Sequence, residues 1–169
     1  LKDDKTYVPA GMFEILCGKG SVAVKDSSVV INKDADNGTQ IPNPWTEYKS
    51  VDEAKKAVNF EAPVPTKVTD GYKLDYISTL DGELLQIVYR NADDKQISYR
   101  AAKGSGDISG DYNVYKDTKT VKADDVSVTL RKGDKTSSAI WTNGGMTFAL
   151  YADGGLSDAE ITEVIKNIK

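Results

Sequence analysis

The chain has 169 residues, 39% of them hydrophobic, with 26 acidic and 22 basic side chains and a formal net charge of −4. This length favours one main domain with a real core, and the acidic balance speaks against nucleic-acid partners. The sequence has no histidine and one cysteine. It therefore excludes His-dependent catalysis, His-containing zinc sites and an internal disulfide.

Residues 1–42 are predicted to form an N-terminal arm. The β-type runs 21–25 and 29–32 flank a short polar turn, which predicts a hairpin. The polar, turn-rich stretch 33–40 is predicted to be a linker, so that the main domain covers 43–169. Because the chain starts at Leu1 without an initiator methionine, we expect that an upstream segment was removed. That segment is a signal peptide or a membrane anchor, or the start at Leu1 is simply a choice of where the sequence was cut.

Two helices are predicted from their start signals. Ser50 and Glu53 form one capping box, and Ser157 and Glu160 form a second. Apolar residues then recur on one face of each helix, at Val51, Ala54 and Val58 and at Ile161, Val164, Ile165 and Ile168. Both helices are therefore expected to pack on a sheet, with Trp45 interpreted as a plug over one end of the core.

Between the helices the apolar period is two, which is typical of strands. Tyr72, Leu74, Tyr76 and Leu80 are predicted to share one face of a strand. Asp81-Gly82 predicts a tight hairpin to 85–89. Further β-type runs lie at 97–101, 114–122, 126–130, 139–141 and 146–150. Short connections require antiparallel pairing, so the predicted fold class is α+β. We expect an antiparallel meander with an N-terminal-side and a C-terminal helix packed on one face and solvent on the other.

The sharpest polar cluster is Asp107, Ser109, Asp111 and Asn113. Alternating short oxygen side chains are what Ca²⁺ takes from a tight loop. The pattern departs from a calcium loop, because Tyr112 stands where glycine is expected and Thr118 where a bidentate glutamate is expected. The alternative is an Asx-rich loop whose side chains bond their own backbone amides. Calcium is the one metal this sequence suggests, and no cofactor is expected.

Arg90 and Arg100 are predicted to lie at the ends of adjacent strands. With Tyr112 they are candidates for a small anionic-ligand site; the alternative is that the arginines pair with Asp93 and Asp94. The sequence holds no recognisable nucleophile, phosphate loop or paired catalytic carboxylates, so we expect a protein that is not an enzyme. A hydrolase with an unrecognised carboxylate site is the catalytic alternative.

Several segments carry a resemblance to a known family: Asn43-Pro44-Trp45, the helix 50–58, and the runs 71–74, 106–113, 139–142 and 156–160. Through them residues 43–169 resemble an uncharacterised extracytoplasmic domain family of Firmicutes, a domain of unknown function found in anti-sigma-like and lipoprotein-carrier-like envelope proteins. The resemblance implies a cell-surface location on a Gram-positive envelope. It transfers no catalytic or binding residue.

Together these observations predict a non-catalytic extracytoplasmic module that binds or senses a ligand or protein partner of the envelope. The alternative is a regulatory domain of an anti-sigma-like or lipoprotein-carrier-like membrane protein. We expect no nucleic-acid partner, and membrane contact only through an upstream anchor. The sheet face without helices, or the loop 103–113, would carry the binding role.

Overall fold

The computed structural model describes Glu14 and residues 20–26, 28–32 and 43–169. The chain divides into two compact units, Leu1–Asn43 and Pro44–Lys169. In the first unit, Val22–Lys25 (β1) pairs antiparallel with Ser28–Ile31 (β2), which confirms the predicted hairpin. The predicted linker 33–40 lies outside the described residues.

The second unit is an eight-stranded antiparallel sheet with two helices, which confirms the α+β class. The strands are Trp45–Tyr48 (β3), Lys73–Leu80 (β4), Leu84–Arg90 (β5), Gln96–Lys103 (β6), Asp117–Ala123 (β7), Val126–Lys132 (β8), Ser137–Asn143 (β9) and Met146–Ala152 (β10). The helices are Val51–Ala57 (α1) and Asp158–Lys166 (α2).

The strand order is β3-β4-β5-β6-β10-β9-β8-β7, so the sheet contains two meanders joined at its centre by the β6–β10 pair. The expectation of a single meander is therefore wrong at one connection. Strand β7 does not follow β6 in space but lies at the far edge. Residues 104–116, which we call the crossover, connect these two strands. The connections on either side of the crossover are short, so the sequence favoured a single meander and did not indicate that this longer connection leads to the far edge.

The helices pack on one face of the sheet, which we call the helix face. Buried side chains from both helices, Ala54, Ile161 and Val164, form one apolar cluster with sheet residues that include Ile77, Leu85, Ile87, Tyr99, Leu130 and Leu150. Tyr99 is fully buried, and its hydroxyl donates to the carbonyl of Pro63 at 2.6 Å. Burial of this apolar surface is the main stabilising contribution to the fold.

The two helix starts differ in detail. At α2, the Ser157 hydroxyl accepts from the Glu160 N–H, and the Glu160 carboxylate accepts from the Ser157 N–H, which is the complete predicted capping box. At α1, the Ser50 hydroxyl accepts from the Glu53 N–H, but the Glu53 carboxylate accepts from the N–H of Lys49. The predicted reciprocal box at α1 is therefore only half formed.

A bulge in β4 changes which residues share a face. The register with β5 pairs Leu74 with Tyr89 but Tyr76 with Val88, and it is irregular between them. The prediction that Leu74, Tyr76 and Leu80 lie on one face is therefore wrong. Because each one-residue slip inverts the side-chain alternation, Tyr76 and Leu80 point away from the helix face.

The face opposite the helices is not simply solvated, contrary to expectation. Its central side chains are buried, namely Ser78, Gln86, Val88, Ser138, Thr147 and Ala149. The crossover supplies part of the cover, since the carbonyl of Ile108 and the carboxylate of Asp107 bond arginines that project from this side. We call it the crossover face.

Candidate functional site

The cross-strand register places a row of polar side chains on the crossover face. Ser78, Gln86 and Arg100 are direct neighbours on β4, β5 and β6. Trp45 on the edge strand pairs with Leu80, in the next row along the strands. Side chains two residues apart on a strand share a face, so the two rows form one continuous surface.

Arg100 lies at the centre of this surface and is held on two sides. Its Nε donates to Gln86 Oε1 at 2.7 Å, and one Nη donates to the carbonyl oxygen of Ile108 at 3.1 Å. Its Cζ lies 5.7 Å from the centre of the Trp45 ring, which is a cation–π distance. The guanidinium is therefore fixed between the sheet and the crossover.

The amide of Gln86 is itself held by two hydroxyl groups. Its Nε2 donates to the Tyr76 hydroxyl at 3.3 Å and to Ser78 Oγ at 3.4 Å. These contacts orient the amide so that its carbonyl oxygen faces Arg100. The bulge in β4 brings Tyr76 into this network, because it turns that side chain onto the crossover face.

The charge of Arg100 is partly desolvated and has no counter-charge in 43–169 or the other described residues. Burial lowers its pKa, and the phenols of Tyr76 and Tyr112 oppose that shift only in part. A guanidinium has five N–H donors, and two of them have protein acceptors here. The other three donors have no acceptor among the described residues.

The crossover passes directly over this guanidinium at Gly110. A Cβ added to Gly110 would lie 2.0 Å from an Nη of Arg100, and the residue has φ +64°. Glycine is therefore required both for the close approach and for the left-handed conformation. Tyr112 follows two residues later with 96% of its surface exposed.

The structure separates Arg90 from this site. Arg90 pairs in register with Gln96, four positions along the strands from Gln86 and Arg100, or about 13 Å. Arg100 lies within β6, so its predicted place at a strand end is wrong. Arg90 forms ion pairs with Asp75 and Asp94, each at 2.8 Å. The predicted pairing with Asp94 is confirmed for Arg90, and Asp75 stands in the place predicted for Asp93.

The predicted calcium ligands lie on the crossover as a ladder of local hydrogen bonds. Asp107 accepts from the N–H and hydroxyl of Ser109, at 2.9 and 2.6 Å. Asp111 accepts from the N–H and amide of Asn113 and from the Tyr115 hydroxyl. This is the arrangement that the Asx-loop alternative describes. In the described ranges no group of three acidic or cysteine side chains is placed to hold a metal, and calcium stays a prediction.

Asp107 also anchors the crossover to the sheet. Its second oxygen accepts from Arg131 on β8 at 2.9 Å. Burial alone would raise the pKa of Asp107, but the hydrogen bonds from Ser109 and the contact with Arg131 outweigh it and hold the pKa below its ordinary value. The crossover is thus attached at two points, through Arg100 and through Arg131.

A cavity of about 430 Å³ borders the row that contains Trp45. It is lined by Leu80, Leu84 and Ala102, which are register neighbours along that row, and by the polar residues Asn59, Asp81, Glu83 and Lys103. Ala102 lies two residues beyond Arg100 on the same face of β6. The row next to Arg100 therefore carries apolar side chains, and this combination suits an anion that carries an apolar body.

Of the residues that the sequence suggests for a ligand site, the structure places Arg100 at the centre of this surface and Tyr112 on the crossover, and a ligand role for both stays a prediction. The contacts of Arg100 with Gln86, Trp45 and the segment at Gly110 are not predicted from the sequence, nor is that of Tyr76 with Gln86. Gln86 alternates with apolar residues in β5, as any solvated strand position would. Tyr76 was assigned to the other face because the bulge leaves no mark in the apolar pattern. Nothing in a single sequence reports that the crossover lies over Arg100.

Comparison with known proteins identifies one family. Residues 62–168 match the family described as "Domain of unknown function (DUF4367)". No curated protein and no solved structure matches the chain. Within the described ranges, neither helix has the length and apolar character needed to cross a membrane.

Proposed function

Since the chain belongs to the DUF4367 family, whose function is unknown, we propose its role from geometry: it is a non-catalytic module that binds a ligand or protein partner on its crossover face. The single observation that carries this proposal is the partly buried guanidinium of Arg100, which lacks a carboxylate partner among the described residues. A desolvated cation without a counter-charge costs stability, so a bound anion at Arg100 would remove that cost.

The proposal includes a place for the module in the cell. We place it on the extracytoplasmic side of a Gram-positive envelope of the Firmicutes type, tethered through an upstream anchor. The family resemblance of the segments around Trp45, 106–113 and 156–160 supports this placement. Regulation of an anti-sigma-like or lipoprotein-carrier-like protein is one setting in which such a module would act.

The direction of the carboxyl pKa shifts favours binding over hydrolysis. Asp107, Asp158 and Glu160 have pKa values below the ordinary range, chiefly through hydrogen bonds to their ionised forms. A glycosidase-type general acid needs the opposite shift, so that it stays protonated near neutral pH. These three groups are therefore suited to structural contacts.

A thermal melt of residues 1–169 against a ligand panel tests the proposal. The panel contains EDTA, calcium, cell-wall fragments, short peptides and lipids. A ligand at 100 times its dissociation constant adds about 2.7 kcal/mol, which raises Tm by about 5–10 °C at this size. We expect one organic ligand class to produce such a rise.

Three outcomes redirect the proposal. A rise with calcium alone, abolished by EDTA, would move the site to the ladder around Asp107 and Asp111. Turnover of any panel member, followed by mass spectrometry, would contradict a non-catalytic role. A panel without any shift would count against small-ligand binding and would restrict the proposal to a protein partner.

A further inference from the structure

The donors of Arg100 that remain without a protein acceptor suggest what the site binds. The Nε edge of the guanidinium is occupied by Gln86, and one Nη donor by the carbonyl of Ile108. Three N–H groups remain without an acceptor in the part of the chain that the structure describes. Two parallel N–H groups of a guanidinium match the two oxygens of a carboxylate.

The surroundings favour a carboxylate over a phosphate. A phosphate carries more charge than one guanidinium neutralises and needs further donors, such as lysines or backbone amides. The polar side chains around Arg100 are instead the amide of Gln86 and the hydroxyls of Tyr76 and Ser78, which already bond one another. Lys103, which lines the neighbouring cavity, donates to the carbonyl of Asn59 at 2.8 Å. A single planar charge is all that this network leaves uncompensated.

The neighbouring row supplies a place for the rest of the ligand. The Trp45 ring centre lies 5.7 Å from Cζ of Arg100, and Leu80, Leu84 and Ala102 follow Trp45 along its row. A carboxylate bonded to Arg100 would therefore have apolar side chains within one strand row. Such a pairing of one charge with apolar side chains is the usual construction of a small-ligand site.

We infer that Arg100 is the receptor for the carboxylate of a ligand whose apolar body lies along the side chains of Trp45, Leu80 and Leu84. This inference rests on the proposed binding function and names its ligand chemistry. The C-terminus of a peptide ending in an apolar residue and the headgroup of a fatty acid share this chemistry. Their different bodies allow an experiment to separate them.

The test is a titration of the ¹⁵N-labelled full chain, followed through the Arg100 Nε–H resonance and the backbone amides of β5 and β6. The probes are N-acetyl-phenylalanine for the peptide source and octanoate for the lipid source. Each is compared with its uncharged primary amide, and sodium sulfate serves as a non-planar anion. We expect saturable shifts with at least one carboxylate and none with its amide.

Two pairs of variants connect these shifts to Arg100. Arg100→Lys keeps the charge but loses the two-pronged donor edge, and it should weaken carboxylate binding at least about tenfold. Arg90→Lys is the matched control, because Arg90 lies on the same sheet but is already paired with Asp75 and Asp94. Its affinity should stay within about twofold of the parent chain.

Gln86→Glu offers a test that keeps Arg100 intact. The new carboxylate would lie at the position of an amide oxygen that is 2.7 Å from Arg100 Nε, and the hydroxyls of Tyr76 and Ser78 can donate to it. The chain would then carry its own counter-charge, so carboxylate binding should be lost while Tm is maintained or raised. Gln96→Glu, beside the paired Arg90, is its control.

Equal responses to a carboxylate and its amide, or unchanged affinity in Arg100→Lys, would overturn the inference. So would saturable binding of sulfate with no binding of either carboxylate. If another panel ligand raises Tm equally in the parent chain and in Arg100→Lys, the binding function stands and this site assignment fails. If the carboxylates bind here but a turnover product appears, the assignment stands and the non-catalytic role fails.

Discussion

The helix face and the crossover face belong to the same eight strands, yet different kinds of contact attach the segments that cover them. On the helix face, α1 and α2 cover an apolar cluster that includes Tyr99 and Leu150. On the crossover face, buried positions such as Ser78 and Gln86 are polar, and the cover is attached through arginine hydrogen bonds. One face therefore resembles a protein core and the other a polar site.

The difference separates the main source of stability from the proposed binding surface. Burial of apolar side chains contributes about 25 cal/mol per Å² without needing any fixed geometry. Buried polar groups gain little net free energy when paired and cost free energy when unpaired. Two groups on the crossover face carry such a cost, the unpaired Ser138 hydroxyl and the partly desolvated Arg100. Because a bound ligand could pair with such groups, we expect ligand recognition on this face.

The largest expected contrast comes from one leucine on each face. Leu150→Ala removes a side chain with 1% exposure from the helix-face cluster and should lower the free energy of unfolding by about 2–5 kcal/mol. Leu84→Ala truncates a half-buried side chain beside the cavity and should cost less than about 1.5 kcal/mol. Urea unfolding of both variants measures the difference. Equal costs would mean that the two faces stabilise the fold alike.

A second contrast uses two glycines with nearly the same backbone conformation. Gly110→Ala would force a Cβ into the Arg100 guanidinium, whereas Gly144, with φ +58°, has no atom within 4 Å of its added Cβ. Both changes cost about 1 kcal/mol for the left-handed conformation, and Gly110→Ala should cost about 1–2 kcal/mol more. Thermal melts compare them, with the Arg100 Nε–H resonance as a local reporter. Equal melts and an unmoved resonance would place the guanidinium elsewhere.

Much of the fold could be predicted from the sequence, because helices and strands leave periodic patterns. The capping box at Ser157, the turn at Asp81-Gly82 and the apolar alternation of β5 each mark an element through local physics. These signals depend on residues a few positions apart. They do not depend on where distant segments lie.

The remaining features depend on tertiary placement. The bulge between Leu74 and Tyr76 inverts a face without any glycine or proline to mark it. The crossover has the composition of an ordinary loop, so its path over the sheet is set by the β6–β10 pairing. Arg100 was selected as a candidate from its residue type, but its partners come from β3, β5 and the crossover. Those contacts have no counterpart in sequence spacing.

A third and smaller contrast compares the two helix starts. Ser157→Ala removes the hydroxyl that accepts from the Glu160 N–H and donates to the Glu160 carboxylate. It should cost about 1 kcal/mol because both bonds are lost, although the backbone N–H of residue 157 can keep its bond to Glu160. Ser50→Ala removes only the bond to the Glu53 N–H, while Glu53 keeps its contact with Lys49. We expect a loss nearer 0.5 kcal/mol there, at the low end for N-caps. Chemical unfolding that ranks them the other way would contradict this reasoning.

The smallest expected effect is on the loss of folding stability at acid pH. The comparison again uses one carboxyl group from each side of the sheet. Hydrogen bonds and ion pairs with Lys119 and Lys132 lower the pKa of Asp158 at the start of α2. The pKa of Asp107 on the crossover lies below its ordinary value because the bonds from Ser109 and Arg131 outweigh burial. A lowered folded-state pKa stabilises the protein above the unfolded-state pKa, about 4, and that contribution is lost as the pH falls further.

Asp158→Asn and Asp107→Asn should each flatten the decline in stability below about pH 4, by a small amount because both side chains are more than a third exposed. Salt distinguishes them. The Asp158 contribution depends on ion pairs with the exposed Lys119 and the partly exposed Lys132, and it should fade as added salt screens the pairs. The Asp107 contribution depends partly on short bonds from Ser109 and should persist. Unfolding from pH 2 to 7 at low and high salt measures both. If added salt removed the Asp107 contribution as completely as the Asp158 contribution, the crossover would be held mainly by exposed ion pairs. The two faces of the sheet would then differ in residue composition but not in how their covering segments are attached.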